Sequence, residues 1–302
     1  MSRTTVAGGP TPFYGARLTL PARDEEAAVL AFWETGCLGV EVVSTARNRR
    51  NPRLTLHAYF PGQRPRVALE AILARALRRA GIARRRPLRV VPVADRRWTE
   101  IWQRSLRPMR IGRRILVVPE GCEAPSTGGR LTIQVRFGQA FGTGEHVSTR
   151  MSLRLLEDCL KPGDRVTDLG TGTAILAMAA RRLGAGSVLA VDDDPVALRV
   201  ASDNLRGNRL DRIDLLDGDA ASALSRGPFD VALVNIGAGV IIRLLPDIAA
   251  ALAPGGRAIL AGLLIEDEEP ILARAASFGL RPGRRLRRRP WSGLLLERVP
   301  SA

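Results

Sequence analysis

Two acidic residues and two glycines stand where a nucleotide-like ligand would be held. Residues 166–195 read VTDLGTGTAILAMAARRLGAGSVLAVDDDP, which predicts a buried strand, a turn, a helix and a second strand that ends on acids. Asp168 precedes the turn, Gly170 and Gly172 lie in it, and Asp192 ends the second strand. Glycine lets backbone approach a ligand, and a carboxylate at Asp192 can accept hydrogen bonds from both ribose hydroxyls. The pattern predicts an adenosine-containing ligand: NAD, FAD or S-adenosylmethionine.

The chemistry of the turn separates these ligands. A dinucleotide fingerprint is GxGxxG, with the pyrophosphate over a helix N-terminus, whereas Ala174 and Ile175 follow Gly172 here. The carboxylate of Asp168 is unfavourable beside a pyrophosphate, but it suits a cationic sulfonium with an ammonium group. A lone GxG is also an ordinary crossover turn, and the spacing to Asp192 is what favours a ligand site. We therefore expect S-adenosylmethionine as the cofactor.

A second glycine-rich segment, FGTGEHVST at residues 141–149, precedes the nucleotide turn. Its glycines on either side of Thr143 allow the backbone to fold over a ligand, and Ser148 or Thr149 can cap the helix that follows. We expect a lid on the cofactor, with Phe141, Thr143 and Thr149 among the cofactor-binding residues. Plain helix capping is the alternative.

Asn235 ends an apolar run at the predicted fourth strand of the second half. Open sheets present ligand-facing groups at such strand ends, and an asparagine amide both donates and accepts hydrogen bonds. We expect Asn235 to orient an amine nucleophile or the cofactor, which makes it the candidate catalytic residue. Asp219 is expected near the adenine edge, whereas Asp203 and Asn208 are expected to be solvated.

Histidine and cysteine usage gives no metal or disulfide pattern. His57 lies far from His146 in the sequence, so we expect a structural or positioning role for His146 and no metal site. The three cysteines show no CxxC spacing, which favours a reducing compartment. No apolar run approaches the length of a membrane span, and charged residues come too early for a signal peptide, so we expect a cytoplasmic protein that does not contact the membrane.

The formal charge of the 302-residue chain is +16, almost wholly from arginine, since Lys161 is the only lysine. A field this positive attracts polyanions, of which the ribosome or RNA is the obvious candidate. The arginines cluster at residues 84–86 and 284–289, but no aromatic residues interleave with them as they do in stacking readers of RNA. Solvated faces and a nucleic-acid contact both remain open.

Hydrophobic periodicity predicts two structural domains. The order βαββαβ within residues 1–93 is typical of a ferredoxin-like unit, with strands at 14–20, 38–43, 54–60 and 88–93 and helices at 24–35 and 67–80. Residues 94–130 are predicted as a linker helix, which carries Trp98 and Trp102 on one face, and a connecting strand at 115–118. Residues 131–302 are predicted as an α/β domain. Its strands are expected at 131–135, 165–169, 187–192, 213–216, 231–235, 258–264 and 294–298.

The chain resembles the methyltransferases of bacterial large-subunit ribosomal protein eleven over nearly its full length. The shared motifs are the W-x-x-x-W pair Trp98 and Trp102, PMRIG at 108–112, FGTGEHVST at 141–149, DLGTGT at 168–173, VDDDP at 191–195, VNI at 234–236, GLL at 262–264 and Trp291. The resemblance implies a class I S-adenosylmethionine-dependent methyltransferase domain with a Rossmann-like α/β fold, preceded by a smaller ferredoxin-like α+β domain that recognises the protein substrate.

The resemblance also implies that Thr149, Gly170, Asp192 and Asn235 bind the cofactor, and that methyl groups go to amino groups of that ribosomal protein. The chain departs from the family at Ala174, where glycine is usual, and at Glu145, where threonine is usual. The alternatives are an RNA or small-molecule methyltransferase of the same fold and a non-catalytic ribosome- or RNA-binding relative. A nicotinamide dehydrogenase disagrees with the chemistry of the turn.

Overall fold

The computed structural model describes residues 13–37, 39–46, 53–60, 62, 65–82, 88–93, 107–136 and 146–299. The chain divides into two compact units, residues 1–105 and 106–302. The helix predicted around Trp98 and Trp102 lies outside the described residues, as do the arginines at 84–86. The strands found between residues 109 and 119 belong to the second unit, so the predicted linker at 94–130 does not coincide with this division.

The first unit is a four-stranded sheet with two helices. Its elements in chain order are β1 (Phe13–Pro21), α1 (Glu25–Glu34), β2 (Gly39–Ala46), β3 (Arg53–Phe60), α2 (Arg66–Arg79) and β4 (Arg89–Val93). The sheet order is β2-β3-β1-β4 with antiparallel neighbours, which is the ferredoxin-like arrangement. Helix α2 buries Leu69, Leu73 and Leu77, because side chains four residues apart share one helix face.

The second unit contains a seven-stranded and a three-stranded sheet. Its strands are β5 (Met109–Ile111), β6 (Ile115–Pro119), β7 (Leu131–Val135), β8 (Arg165–Leu169), β9 (Ser187–Asp192), β10 (Ile213–Asp217), β11 (Phe229–Asn235), β12 (Leu252–Leu264), β13 (Leu280–Arg288) and β14 (Trp291–Arg298). Its helices are α3 (Val147–Cys159), α4 (Ile175–Leu183), α5 (Pro195–Gly207), α6 (Ala220–Leu224), α7 (Ala238–Ala251) and α8 (Glu268–Ala276). Within the described ranges, no helix is both long and apolar enough to cross a bilayer.

The large sheet has the order β10-β9-β8-β11-β12-β14-β13. Strands β8 to β12 are mutually parallel, and β14 pairs antiparallel with both β12 and β13. This confirms the predicted class I methyltransferase fold. The chain builds outward from β8 through β9 and β10, then returns to add β11 on the other side. A crevice therefore forms at the carboxyl ends of β8 and β11, where open α/β sheets bind ligands.

Both faces of this sheet are covered by helices, so its strands are nearly continuous apolar runs. In β11, Val231 and Leu233 join a core cluster on one face, while Ala232 and Val234 join a second cluster on the other. Successive side chains of a strand point to opposite faces, and both faces are buried here. Burial on both sides fixes the strand ends that form the crevice.

The arginine-rich run at residues 280–288 is an edge strand, which the sequence analysis missed. Its exposed side chains have acidic partners on neighbouring helices: Arg284 pairs with Asp158, and Arg287 pairs with the buried Glu268. Such a strand carries little apolar signal because one edge and most of its side chains face water. Strand β5 was missed as well, since three residues are too few to show a period.

The turn between β5 and β6 is tied to helix α3 by one carboxylate. Glu157 accepts hydrogen bonds from the backbone N–H of Arg113 at 2.8 Å and of Arg114 at 3.2 Å. Gly112 has a φ of +56°, and a Cβ built there would lie 2.1 Å from Glu157 Oε2. Glycine at this position therefore serves both the left-handed backbone and the close approach of the carboxylate.

We predict that Gly112→Ala lowers the free energy of unfolding by about 2 to 4 kcal/mol, from left-handed strain plus weakened hydrogen bonds to the carboxylate. Gly128→Ala is the matched control, because its φ is +55° and nothing lies within 4 Å of the built Cβ. That variant should lose only about 1 kcal/mol. Equal losses in urea unfolding would show that the contact with Glu157 contributes nothing.

Candidate functional site

The turn after β8 has an unusual backbone. Gly170, Gly172 and Ala174 have φ angles of +67°, +56° and +61°, all in the left-handed region. A Cβ built on Gly170 would lie 2.9 Å from Cγ2 of Ile236, at the end of β11. Thr171 N donates to Val191 O on β9 at 2.9 Å, which closes the turn against the neighbouring strand. The left-handed backbone favours glycine at both predicted positions, and the close approach of Ile236 favours it further at Gly170.

Asp192 lies at the end of β9 and holds this turn. Its Oδ2 accepts from Gly172 N at 2.8 Å, and its Oδ1 accepts from Asp194 N at 3.1 Å. The residue is half-buried. A carboxylate oxygen has about two acceptor sites, so each oxygen can still accept one hydrogen bond from a ligand. This is the arrangement that two ribose hydroxyls require.

Asp168 supports the turn from below. Its side chain is buried at 1% exposure, and Oδ2 accepts from Thr171 Oγ1 at 2.6 Å and from Ala177 N at 3.1 Å. Burial raises the pKa of this carboxyl to about 6, against the opposing effect of those two hydrogen bonds. Its described contacts are with the turn and the first residues of α4, so its part in binding a cation would be electrostatic rather than by direct contact.

Asn235 and Thr149 are brought together from elements 86 residues apart in sequence. Asn235 Nδ2 donates to Thr149 Oγ1 at 3.3 Å, and Thr149 is fully buried in the first turn of α3. The Asn235 Oδ1 atom is buried and has no hydrogen-bond partner among the described residues. An unpaired buried acceptor costs about 1 to 3 kcal/mol, which a ligand with an N–H donor would recover.

His146 caps helix α3, where the sequence had suggested Ser148 or Thr149. Its Nδ1 accepts from Ser148 N at 3.3 Å and lies 2.6 Å from Ser148 Oγ. The imidazole packs edge-on against Trp291, with ring centroids 4.6 Å apart. Burial lowers the pKa of His146 to about 4. The imidazole is therefore neutral at pH 7 and serves as a structural acceptor. The predicted lid residues Phe141 and Thr143 lie outside the described residues.

Three predicted polar residues serve local structure. Asp219 caps helix α6 by accepting from Ser222 Oγ at 2.6 Å and from Ser222 N at 2.8 Å, and these two contacts lower the pKa of its carboxyl. Asn208, expected to be solvated, is buried at 7% exposure and bonded to the backbone of β7. Asp203, also expected to be solvated, forms ion pairs with Arg136 and Arg206. No sequence pattern indicates the contacts of Asn208 with Gln134 and of Asp203 with Arg136, because these partners lie 74 and 67 residues away in the chain.

The crevice fits an adenosine-containing cation. It offers a half-buried carboxylate for hydroxyl donors, a buried amide oxygen with no described partner for an ammonium donor, and a turn that carries no side chain at Gly170 and Gly172. The two acidic side chains, Asp168 and Asp192, favour a sulfonium over a pyrophosphate. In the part of the chain that the structure describes, no group of three His, Cys, Asp or Glu side chains could hold a metal ion.

Comparisons with known proteins agree with this geometry. A family model described as ribosomal protein L11 methyltransferase (PrmA) matches residues 16–298. The chain is 37% identical over 254 residues to the ribosomal protein L11 methyltransferase of Geobacter metallireducens, covering 82% of each chain. It is 39% identical over 230 residues to that of Pelobacter propionicus, covering 74% of this chain and 73% of the relative.

A solved structure gives the same indication. The ribosomal protein L11 methylase of Lactobacillus delbrueckii subsp. bulgaricus is similar with a TM-score of 0.60 and 29% identity. The match covers 64% of this chain and all of that one.

We predict a pH-dependent contribution of His146 to stability. The pKa of the imidazole is about 4 in the folded protein against an ordinary 6.5. Between these values only the unfolded chain takes up the proton, so the free energy of unfolding falls as the pH is lowered from 6.5 to 4, by up to roughly 3 kcal/mol.

The control for this prediction is His146→Asn, which keeps a helix-capping acceptor but cannot titrate. The raised pKa of Asp168 acts in the opposite direction over an overlapping range and is common to both proteins, so it cancels in their difference. Unfolding by denaturant at several pH values gives that difference. A constant difference between pH 7 and pH 4 would contradict the assignment.

Proposed function

Because this chain belongs to the ribosomal protein L11 methyltransferase family, we propose that it transfers methyl groups from S-adenosylmethionine to amino groups of ribosomal protein L11. The acceptors are a lysine ε-amine, the N-terminal α-amine, or both. The observation that carries the proposal is the crevice at the ends of β8, β9 and β11, where Asp192 holds the glycine turn and Asn235 at the end of β11 has a buried Oδ1 with no partner among the described residues.

The proposed cofactor contacts follow from the hydrogen-bonding groups that are still available in the site. Asp192 would accept from the ribose hydroxyls, Gly170 and Gly172 would let the backbone approach the ligand, and Asn235 with Thr149 would hold its amino-acid end or the acceptor amine. Asp168 would contribute negative charge without contacting the ligand. Phe141 and Thr143 remain proposed lid contacts on the strength of the sequence alone.

S-adenosylmethionine, when bound, supplies a methyl group on a positively charged sulfur, which an amine lone pair can attack in line. The protein's task is alignment and exclusion of water, because the leaving group is already good. A lysine amine must first lose its proton, against a reference pKa of about 10.4, and the loss of water together with the positive charge of the bound sulfonium would favour the neutral amine. We propose that Asn235 orients this amine and that no dedicated base is needed. The neutral, buried His146 agrees with such a site.

We propose that the ferredoxin-like unit, residues 1–93, recognises the protein substrate. We also propose a contact with ribosomal RNA through exposed arginines. On the described strand β13, Arg284, Arg285 and Arg287 are engaged by acids, which leaves Arg281 and Arg288 as the candidates for phosphate contacts. This surface would assist docking and would leave the choice of acceptor to the first unit.

We predict that purified protein with labelled S-adenosylmethionine labels ribosomal protein L11, and that mass spectrometry locates the label on lysine or the N-terminal amine. Ribosomal RNA offered in a parallel reaction should stay unlabelled. Label found only in the RNA would indicate the rival RNA methyltransferase. Cofactor binding without turnover on either acceptor would indicate a non-catalytic relative.

A further inference from the structure

The outer edge of strand β7 pairs with two asparagine side chains instead of with another strand. It lies at the end of the three-stranded sheet β5-β6-β7, so its outer backbone groups have no neighbouring strand in the described structure. Unpaired strand edges need a partner. Helix α5 supplies one through Asn204 and Asn208, whose exposures are only 3% and 7%.

The two amides pair with alternate residues of the strand edge. Asn208 Oδ1 accepts from Gln134 N at 2.9 Å, and its Nδ2 donates to Gln134 O at 2.6 Å. Asn204 makes the equivalent pair with Arg136, at 2.6 Å to N and 3.2 Å to O. Residues two apart in a strand face the same way, and residues four apart share a helix face. The two side chains therefore continue the ladder in place of a strand.

Asn204 makes one contact that Asn208 lacks. Its Nδ2 also donates to Thr173 O at 2.9 Å, inside the turn that follows β8. The second bond of the Asn208 amino group goes instead to Asn204 O, within the same helix, at 2.8 Å. The Asn204 amide thus engages both of its donors and one of its two acceptor sites. It joins the turn, helix α5 and the end of β7 at one buried point.

The turn is thus held at two successive residues by one strand–helix segment. Asp192, at the end of β9, accepts from Gly172 N at 2.8 Å, and Asn204, on the helix that follows, donates to the carbonyl of Thr173. Thr173 is fully buried, so if the Asn204 side chain were removed, water would not replace the donor that its carbonyl loses. This hydrogen bond lies between two left-handed residues, Gly172 and Ala174.

We propose that Asn204 is a positioning residue for the methyl donor, holding the turn at residues 170–174 against strand β7 through Thr173 and Arg136. The inference rests on the proposed function, since it assumes that this turn binds S-adenosylmethionine. Asn204 acts through the turn and does not touch the ligand. The role of Asn208 is limited to covering the strand edge.

The matched pair Asn204→Ala and Asn208→Ala tests the proposal. Each variant removes a buried amide and two hydrogen bonds to β7, so thermal unfolding should show similar losses of stability. Only Asn204→Ala removes the hydrogen bond to the Thr173 carbonyl. We expect it to weaken binding of S-adenosylhomocysteine about ten-fold in calorimetry and to raise KM for the methyl donor with little change in kcat. Asn208→Ala should stay within about two-fold.

Equal changes in the two variants, or unchanged affinity in Asn204→Ala, would overturn the proposal. If Asn204→Ala does not fold, hydrogen exchange in the unaltered protein decides. S-adenosylhomocysteine should slow exchange of the Arg136 amide, bonded to Asn204, by about ten-fold more than that of the Gln134 amide, bonded to Asn208. Equal slowing overturns the proposal. Unaltered protein that fails to bind the ligand at all refutes the proposed function instead.

Discussion

The hydrogen bond from Gly172 N to the Asp192 carboxylate is the interaction on which the site depends. It joins the turn after β8 to the end of β9 and restrains a turn in which three residues have left-handed backbone angles. Asp168 stabilises the same turn from the other side through Thr171 and the start of α4. The carboxylates that favour a cationic ligand are thus the ones that hold the backbone in place, and binding and folding share the same residues.

Ala174 shows how the turn tolerates a departure from glycine. A left-handed alanine costs about 1 to 2 kcal/mol. The methyl group is completely buried, which returns about 0.8 kcal/mol, and alanine loses less backbone entropy than glycine on folding. Ala174 N also donates to Thr171 O at 2.9 Å, a bond that fixes the strained residue. Alanine at position 174 is therefore compatible with the geometry of the turn.

Strand bounds could be predicted from the sequence where burial imposes a regular pattern of apolar residues. Strands β7, β8 and β9 have the predicted bounds, because their apolar runs are bounded by clear turn residues. The cluster of Asp168, Gly170, Gly172 and Asp192 was predictable from the order of strand, turn, helix and strand, since the carboxyl ends of parallel strands meet at one edge.

The remaining features arise from contacts between distant segments. Strand β13 was missed because arginines dominate an edge whose partners lie on α3 and α8. Asn208 looked solvated because a polar residue on an amphipathic helix ordinarily faces water, and its partner on β7 is 74 residues away. The helix cap at His146 was missed because an imidazole rarely takes that role, and here Trp291 holds the ring in position.

The measurement that tests this account most directly is calorimetric titration of Asp192→Ala and Asp193→Ala with S-adenosylmethionine. Asp193 is the neighbouring exposed carboxylate, so its variant controls for net charge. Asp192→Ala should lower the affinity on the order of 100-fold or more, because two hydroxyl contacts and the support of the turn are lost together. Asp193→Ala should bind as the unaltered protein does. Retained affinity in Asp192→Ala, or binding of NAD by the unaltered protein, would contradict the account.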